Sequence, residues 1–209
     1  MNSRITQYCI IRNGKIFLNG EEFFSNDIAE SPLVFFKSAL KHLNISYPKF
    51  YKMDSLSKLA FLASEVILIQ DKARGSFPND RVALVLSNSV SCLDTDVEYQ
   101  KSISDRNNYY PSPALFVYTL PNIMIGEICI RNKYQGENIF FCSEAFNADL
   151  IYSYVNMLLQ TNKADKCITG WIDFLGNSYE AVLFLIEREG NSNTIEFNIE
   201  NLNKLYKGI

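Results

Sequence analysis

Apolar runs that alternate with helix-patterned segments predict an α/β domain built on a mixed sheet. Three observations carry that expectation. Asn13-Gly14 separates two short runs, residues 82–86 are continuously apolar, and residues 166–173 and 179–188 flank a Gly176-Asn177 turn. The 209 residues suffice for one domain, 1–209, with its own core. No linker, internal repeat or low-complexity tract divides them.

Residues 8–12 and 15–18 read as a hairpin, because Asn-Gly tolerates the positive φ that a two-residue turn demands. Residues 33–43 repeat apolar side chains at helical spacing through Val34, Phe35, Ala39 and Leu43. A second helix, 56–70, has Ser55 as its cap and the wide apolar face of Leu59, Leu62, Ala63, Val66 and Ile67, which predicts deep burial. A turn is expected over 71–80. The run 82–86 then reads as a strand covered on both faces. A helix over 94–103 follows, and Pro111 and Pro113 break regular structure after it. Pro121 splits the apolar stretch 114–130 into two helices. Beyond it come a strand at 138–142 and a helix at 145–159 whose one charge is Asp149. Residues 194–197 offer a further strand before a short terminal helix.

Lys plus Arg number 20 against 23 Asp plus Glu, a net charge of −3, so no basic stripe is available to neutralise nucleic-acid phosphates. The five cysteines are scattered with no C-x-x-C pair, which suggests reduced core thiols and a cytoplasmic setting. His42 is the sole histidine, leaving no zinc-ligand spacing. The N-terminus lacks a signal-peptide core, and no apolar run approaches the length of a membrane span. Asp94, Asp96 and Glu98 read as an acidic first helical turn rather than a metal site. No Gly-rich phosphate cradle is present, and no cofactor is implied.

Several segments, in order, resemble a known family. They are Phe50-Tyr51-Lys52-Met53-Asp54-Ser55-Leu56-Ser57-Lys58-Leu59-Ala60, then 81–87 with Leu93-Asp94-Thr95-Asp96, then Ser112-Pro113-Ala114-Leu115-Phe116. Thr119-Leu120-Pro121-Asn122, Gly126-Glu127-Ile128, Tyr134-Gln135-Gly136-Glu137-Asn138 and the strand running from Ala164-Asp165 to Gly170 continue the series. Together they resemble the N-terminal half of a β-ketoacyl synthase, a thiolase-fold condensing enzyme. The resemblance implies a thiolase-like half: a mixed five-stranded sheet with a buried central helix and flanking helices.

In that family a cysteine at the N-terminus of the buried helix takes up the acyl group, assisted by two histidines of the second half. The family spacing places Ala145 at the nucleophile position, and a methyl group forms no thioester. Cys142 is the rival candidate; its apolar run, Ile139-Phe140-Phe141, reads as a buried strand. His42, beside Lys41, reads as a surface residue. The resemblance therefore implies a non-catalytic accessory subunit in fatty-acid-like, polyketide-like or polyene biosynthesis. The alternative is a stand-alone enzyme handling acyl thioesters through Cys142. Expected partners are a second copy or a full-length ketosynthase, and an acyl carrier protein. The stripes Tyr152, Val155, Leu159 and Ile151, Tyr154, Leu158 are too many for one sheet to cover, which argues against a monomer. The tail residues Ile195, Phe197, Leu202 and Leu205 are the one local alternative.

Overall fold

The structure is a computed structural model and describes residues 3–26, 28, 30–71, 77–107, 109–189 and 194–208. In chain order its strands are β1 (Arg4–Arg12), β2 (Lys15–Leu18), β3 (Glu21–Ser25), β4 (Val82–Asn88), β5 (Asn138–Cys142), β6 (Lys166–Leu175), β7 (Ser178–Glu187) and β8 (Ile195–Glu196). The helices are α1 (Pro32–His42), α2 (Ser55–Ile69), α3 (Leu93–Ser104), α4 (Pro113–Val117), α5 (Ile123–Asn132), α6 (Ala148–Gln160) and α7 (Ile199–Lys207). One sheet runs in the order β3-β2-β1-β7-β6-β4-β5, with β8 on the free start of β1. β4 pairs in parallel with both β5 and β6, and the remaining pairs are antiparallel.

The expected mixed sheet is present, but it has eight strands instead of five. The first hairpin joins it through β1–β7 pairing, and β3 and β8 add to that end. Glu21-Glu22-Phe23-Phe24-Ser25 lacks an alternating pattern, so its strand state comes from the neighbour it pairs with. The Asn13-Gly14 turn has φ of 49° and 73°, as its register Arg12↔Lys15 requires. Gly170, at φ 145°, lies where an added Cβ would stand 2.0 Å from the Val182 carbonyl oxygen. Only glycine lets β6 and β7 approach so closely.

Helices cover both faces. Against one lie α1, α2 and α5, with Phe35, Phe36, Phe50 and Phe61 all fully buried. Each such ring contributes roughly 1.5–3 kcal/mol of burial. The helix enclosed on all sides is α2, buried from Leu56 through Leu68. Its cap is Asp54, not Ser55: the Asp54 carboxylate accepts from Ser57 N at 3.0 Å. Part of the turn expected at 71–80 lies outside the described residues.

Against the other face lie α6 and α7. The α6 stripes do not stand open. Ile151, Val155, Leu158 and Leu159 are buried, Tyr152 packs on Phe197 with ring centroids 5.2 Å apart, and Leu202 is fully buried beside them. The tail thus covers the surface whose exposure argued for self-association, because α7 is strongly amphipathic and turns its apolar side inward. A covered α6 gives no reason to expect a dimer through that helix.

Candidate functional site

β4 and β5 lie side by side and parallel, but the chain leaves them in opposite directions. From β4 it crosses through α3, α4 and α5 on the α2 side; from β5 it enters α6 on the other. The carboxyl ends of adjacent parallel strands that diverge in this way are where open α/β sheets place the mouth of a ligand site. Asn88, Ser89, Cys142 and Ser143 stand at that mouth, with Asp173 of β6 beside them.

Polar side chains hold the mouth rigid. Asn88 clasps Ser91 twice, donating Nδ2 to its carbonyl and accepting from its N–H, both at 2.8 Å. That clasp stabilises Ser91 at φ 56°. Ser89 Oγ donates to Asp173, whose other oxygen accepts from Val90 N at 3.4 Å. Ser143 N donates to Asn88 O at 2.9 Å, joining the loops after β4 and β5. Cys92 Sγ donates to Thr119 O at 2.9 Å, and burial is the main cause pushing this thiol up from its ordinary value. The Ser/Asn-rich sequence after β4 signals a loop, but Asp173 as its anchor lies 84 residues beyond Ser89 and has no local signature.

Ala145 lies in the loop between β5 and α6, exposed, two residues before the Asn147 cap. The helix begins at Ala148, three residues later than expected, because Asn147 accepts from Leu150 N at 2.9 Å and so fixes the start. Ala145 is thus not at the helix N-terminus, and the dipole end faces Asn147. Cys142 is also placed differently from expectation. It is exposed at the end of β5, its Sγ donating to Ser89 O at 3.4 Å. It is exposed because β5 is the outermost strand and Cys142 its last residue.

His42 joins neither. It ends α1 beside the opposite edge strand, against Phe23 and Phe24 with centroid distances of 5.4 and 4.9 Å. No group of three or more acidic, histidine or cysteine side chains gathers to hold a metal among the described residues. No helix among them is long and apolar enough to cross a membrane.

No protein-family model matches the chain, and no curated protein matches it. Solved structures do. The ishigamide ketosynthase/chain length factor superposes with a TM-score of 0.66 at 16% identity, over 93% of this chain and 64% of that one. The ketosynthase ApeO in complex with its chain length factor ApeC, from Xenorhabdus doucetiae, gives 0.58 at 14%, over 99% and 91%. AntDE:AntF, a type II polyketide acyl-carrier protein in complex with its ketosynthase bound to the hexaketide, gives 0.60 at 11%, over 89% and 62%. The chain spans less than two thirds of the first and third of these. Such likeness shows the architecture, and the chain has the ketosynthase-type, thiolase-like α/β fold that its ordered segments resemble.

Proposed function

We propose that this chain is a non-catalytic, ketosynthase-like accessory subunit that pairs with an active ketosynthase in polyketide-like, polyene or fatty-acid-like biosynthesis. The observation that carries the reading is the free edge of β5. The two edges of the sheet differ in kind. β3 carries Glu21 and Glu22, charges that discourage strand addition. β5 reads Asn-Ile-Phe-Phe-Cys, without a charge. Glu137 O and Ser143 N both point to β4, so by alternation the N–H and C=O groups of Asn138, Phe140 and Cys142 face outward. An uncharged, unprotected edge is a template for a partner strand.

The absence of a catalytic role is supported by Ala145, an alanine at the position where the family spacing puts the cysteine. It is also supported by the sole histidine, His42, which lies at the opposite edge of the sheet.

A second contact fits the same reading. Lys37, Lys41 and Lys52 are exposed, and the one acidic residue of 37–58 is Asp54, in a chain that is acidic as a whole. Lys37 and Lys41 line a groove of about 550 Å³ with Leu40, Ile45, Tyr47 and Tyr51. An acidic docking face suits it, which is the chemistry an acyl carrier protein would need to use this groove.

The test is co-expression with a full-length ketosynthase from the same genome, followed by light scattering. A heteromer is expected, and Asn138→Pro with Cys142→Pro, two exposed positions whose outward donors proline removes, should dissociate it. Carrier-protein-dependent condensation by this chain alone would refute the reading.

A further inference from the structure

Helix α1 turns a partly apolar face to solvent. Leu33 and Val34 in its first turn stand 40% and 42% exposed, and Ile28 just before it stands 91% exposed. Lys37 and Lys41 follow on the same side, both exposed. At 3.6 residues per turn, the four helical positions fall within about 100° of the circumference. The other side, with Phe35, Phe36, Ala39 and Leu40, is buried in the core. Ser31 caps the helix, its hydroxyl accepting from Val34 N at 3.4 Å, so the face is ordered before anything meets it.

The charges on this face are sorted along the helix. Glu30 stands exposed immediately before the cap, and the two lysines lie toward the other end. Among the described residues none of the three makes an ion pair. Lys37 and Lys41, four residues apart, are like charges on adjacent turns, which a helix tolerates at a cost.

We infer that α1 is a self-association face, on which a second copy of this chain pairs antiparallel about a two-fold axis between Leu33 and Val34. That axis sets Leu33 of each copy on Val34 of the other and buries both. Positions 30 and 37 are equally far from it, so Glu30 of each copy meets Lys37 of the other. Charge order selects the occupant. A two-fold copy brings acid and base in reversed order by construction, whereas parallel pairing would set lysine on lysine. Antiparallel helices also oppose their dipoles, and the aliphatic stem of Lys37 extends the apolar contact.

α1 ends beside β3, where His42 packs on Phe23 and Phe24, and β5 is the opposite edge of the sheet. Self-pairing and the ketosynthase contact proposed above therefore use separate surfaces, and the inference does not rest on that contact. Lys37 also lines the groove offered to a carrier protein, so the paired form leaves that groove to Lys41.

Sedimentation velocity of the full chain from about 5 to about 500 µM provides the test. The patch is small, so a monomer–dimer equilibrium with a midpoint in about the 10–100 µM range is expected. Val34→Asp should weaken it about tenfold or more. An aspartate in the first turn suits the helix dipole, so unchanged circular dichroism and melting separate lost pairing from lost folding. Glu30→Lys and Lys37→Glu should each weaken pairing about fivefold, because two ion pairs are lost per dimer. The double variant exchanges the signs and should restore it. A chain that stays monomeric at about 500 µM overturns the inference, as does a dimer that Val34→Asp leaves intact. A double variant no tighter than its parents overturns the register. If the chain alone is monomeric and Val34→Asp instead abolishes the ketosynthase complex, the choice of a second copy falls while the accessory-subunit reading stands.

Discussion

Tyr206 lies flat on Phe146, with ring centroids 4.3 Å apart and planes 13° apart. Phe146 belongs to the loop between β5 and α6 that carries Ala145, so the terminal helix α7 clamps that loop. Tyr206 is itself fixed: its hydroxyl donates to Glu180 at 2.9 Å, and Arg12 donates to its carbonyl at 2.7 Å with the guanidinium over the ring. Tyr206→Ala should lower stability by about 2 kcal/mol and open residues 143–147 to proteolysis. Burial, then Glu180, pushes the Tyr206 hydroxyl up to about 12. The folded state thus favours the neutral form, and this stability is complete below about pH 10 and lost as pH rises toward about 12. Alkaline melts of Tyr206→Phe should lose that dependence.

Lys166, 2% exposed in its side chain, donates to Asp71 at 2.8 Å and pairs with Glu187 at 3.0 Å. Removing the cation leaves the Asp71 and Glu187 carboxylates facing each other. Lys166→Met should therefore cost about 3–5 kcal/mol in a denaturant titration. A loss below about 1 kcal/mol would mean that water reaches the pair.

Among the five thiols, Cys142 is the exposed one, while burial raises Cys9 and Cys167 far above their ordinary value and Cys129 to about 11. Timed alkylation at neutral pH with peptide mapping should label Cys142 first, Cys129 more slowly, and Cys9 and Cys167 only after unfolding. Under the accessory-subunit reading, Cys142→Ser leaves ketosynthase binding unchanged.

Asp165 joins three parts of the chain: Arg81 Nε donates to it at 2.8 Å, Arg188 lies at 3.4 Å, and its own N–H reaches Arg81 O at 2.9 Å. The hydrogen bonds from Arg81 are the main cause holding its carboxyl below the ordinary range, with Arg188 adding to them. A depressed folded value gives stability present above the unfolded value of about 3.9 and lost as pH falls through the folded one. Asp165→Asn should lower the melting point at pH 7 by the equivalent of about 1 kcal/mol, a difference that shrinks below about pH 4.

Local chemistry determined most of the elements. Asn13-Gly14 sets the hairpin, Pro121 separates α4 from α5, and residues 138–142 form a strand with the bounds their pattern predicts, because each is a short-range consequence of turn, proline or apolar runs. The order of segments from Phe50 to Gly170 was enough to indicate the ketosynthase-type fold. Tertiary structure decided the rest. β3 exists through its pairing with β2, the tail covers α6, and Asp173 reaches Ser89 across 84 residues. Cys142, apolar by its neighbours, is exposed because β5 received the edge of the sheet. Burial depends on what packs against a residue from far along the chain, and a local pattern records only which face is apolar, never what comes to cover it.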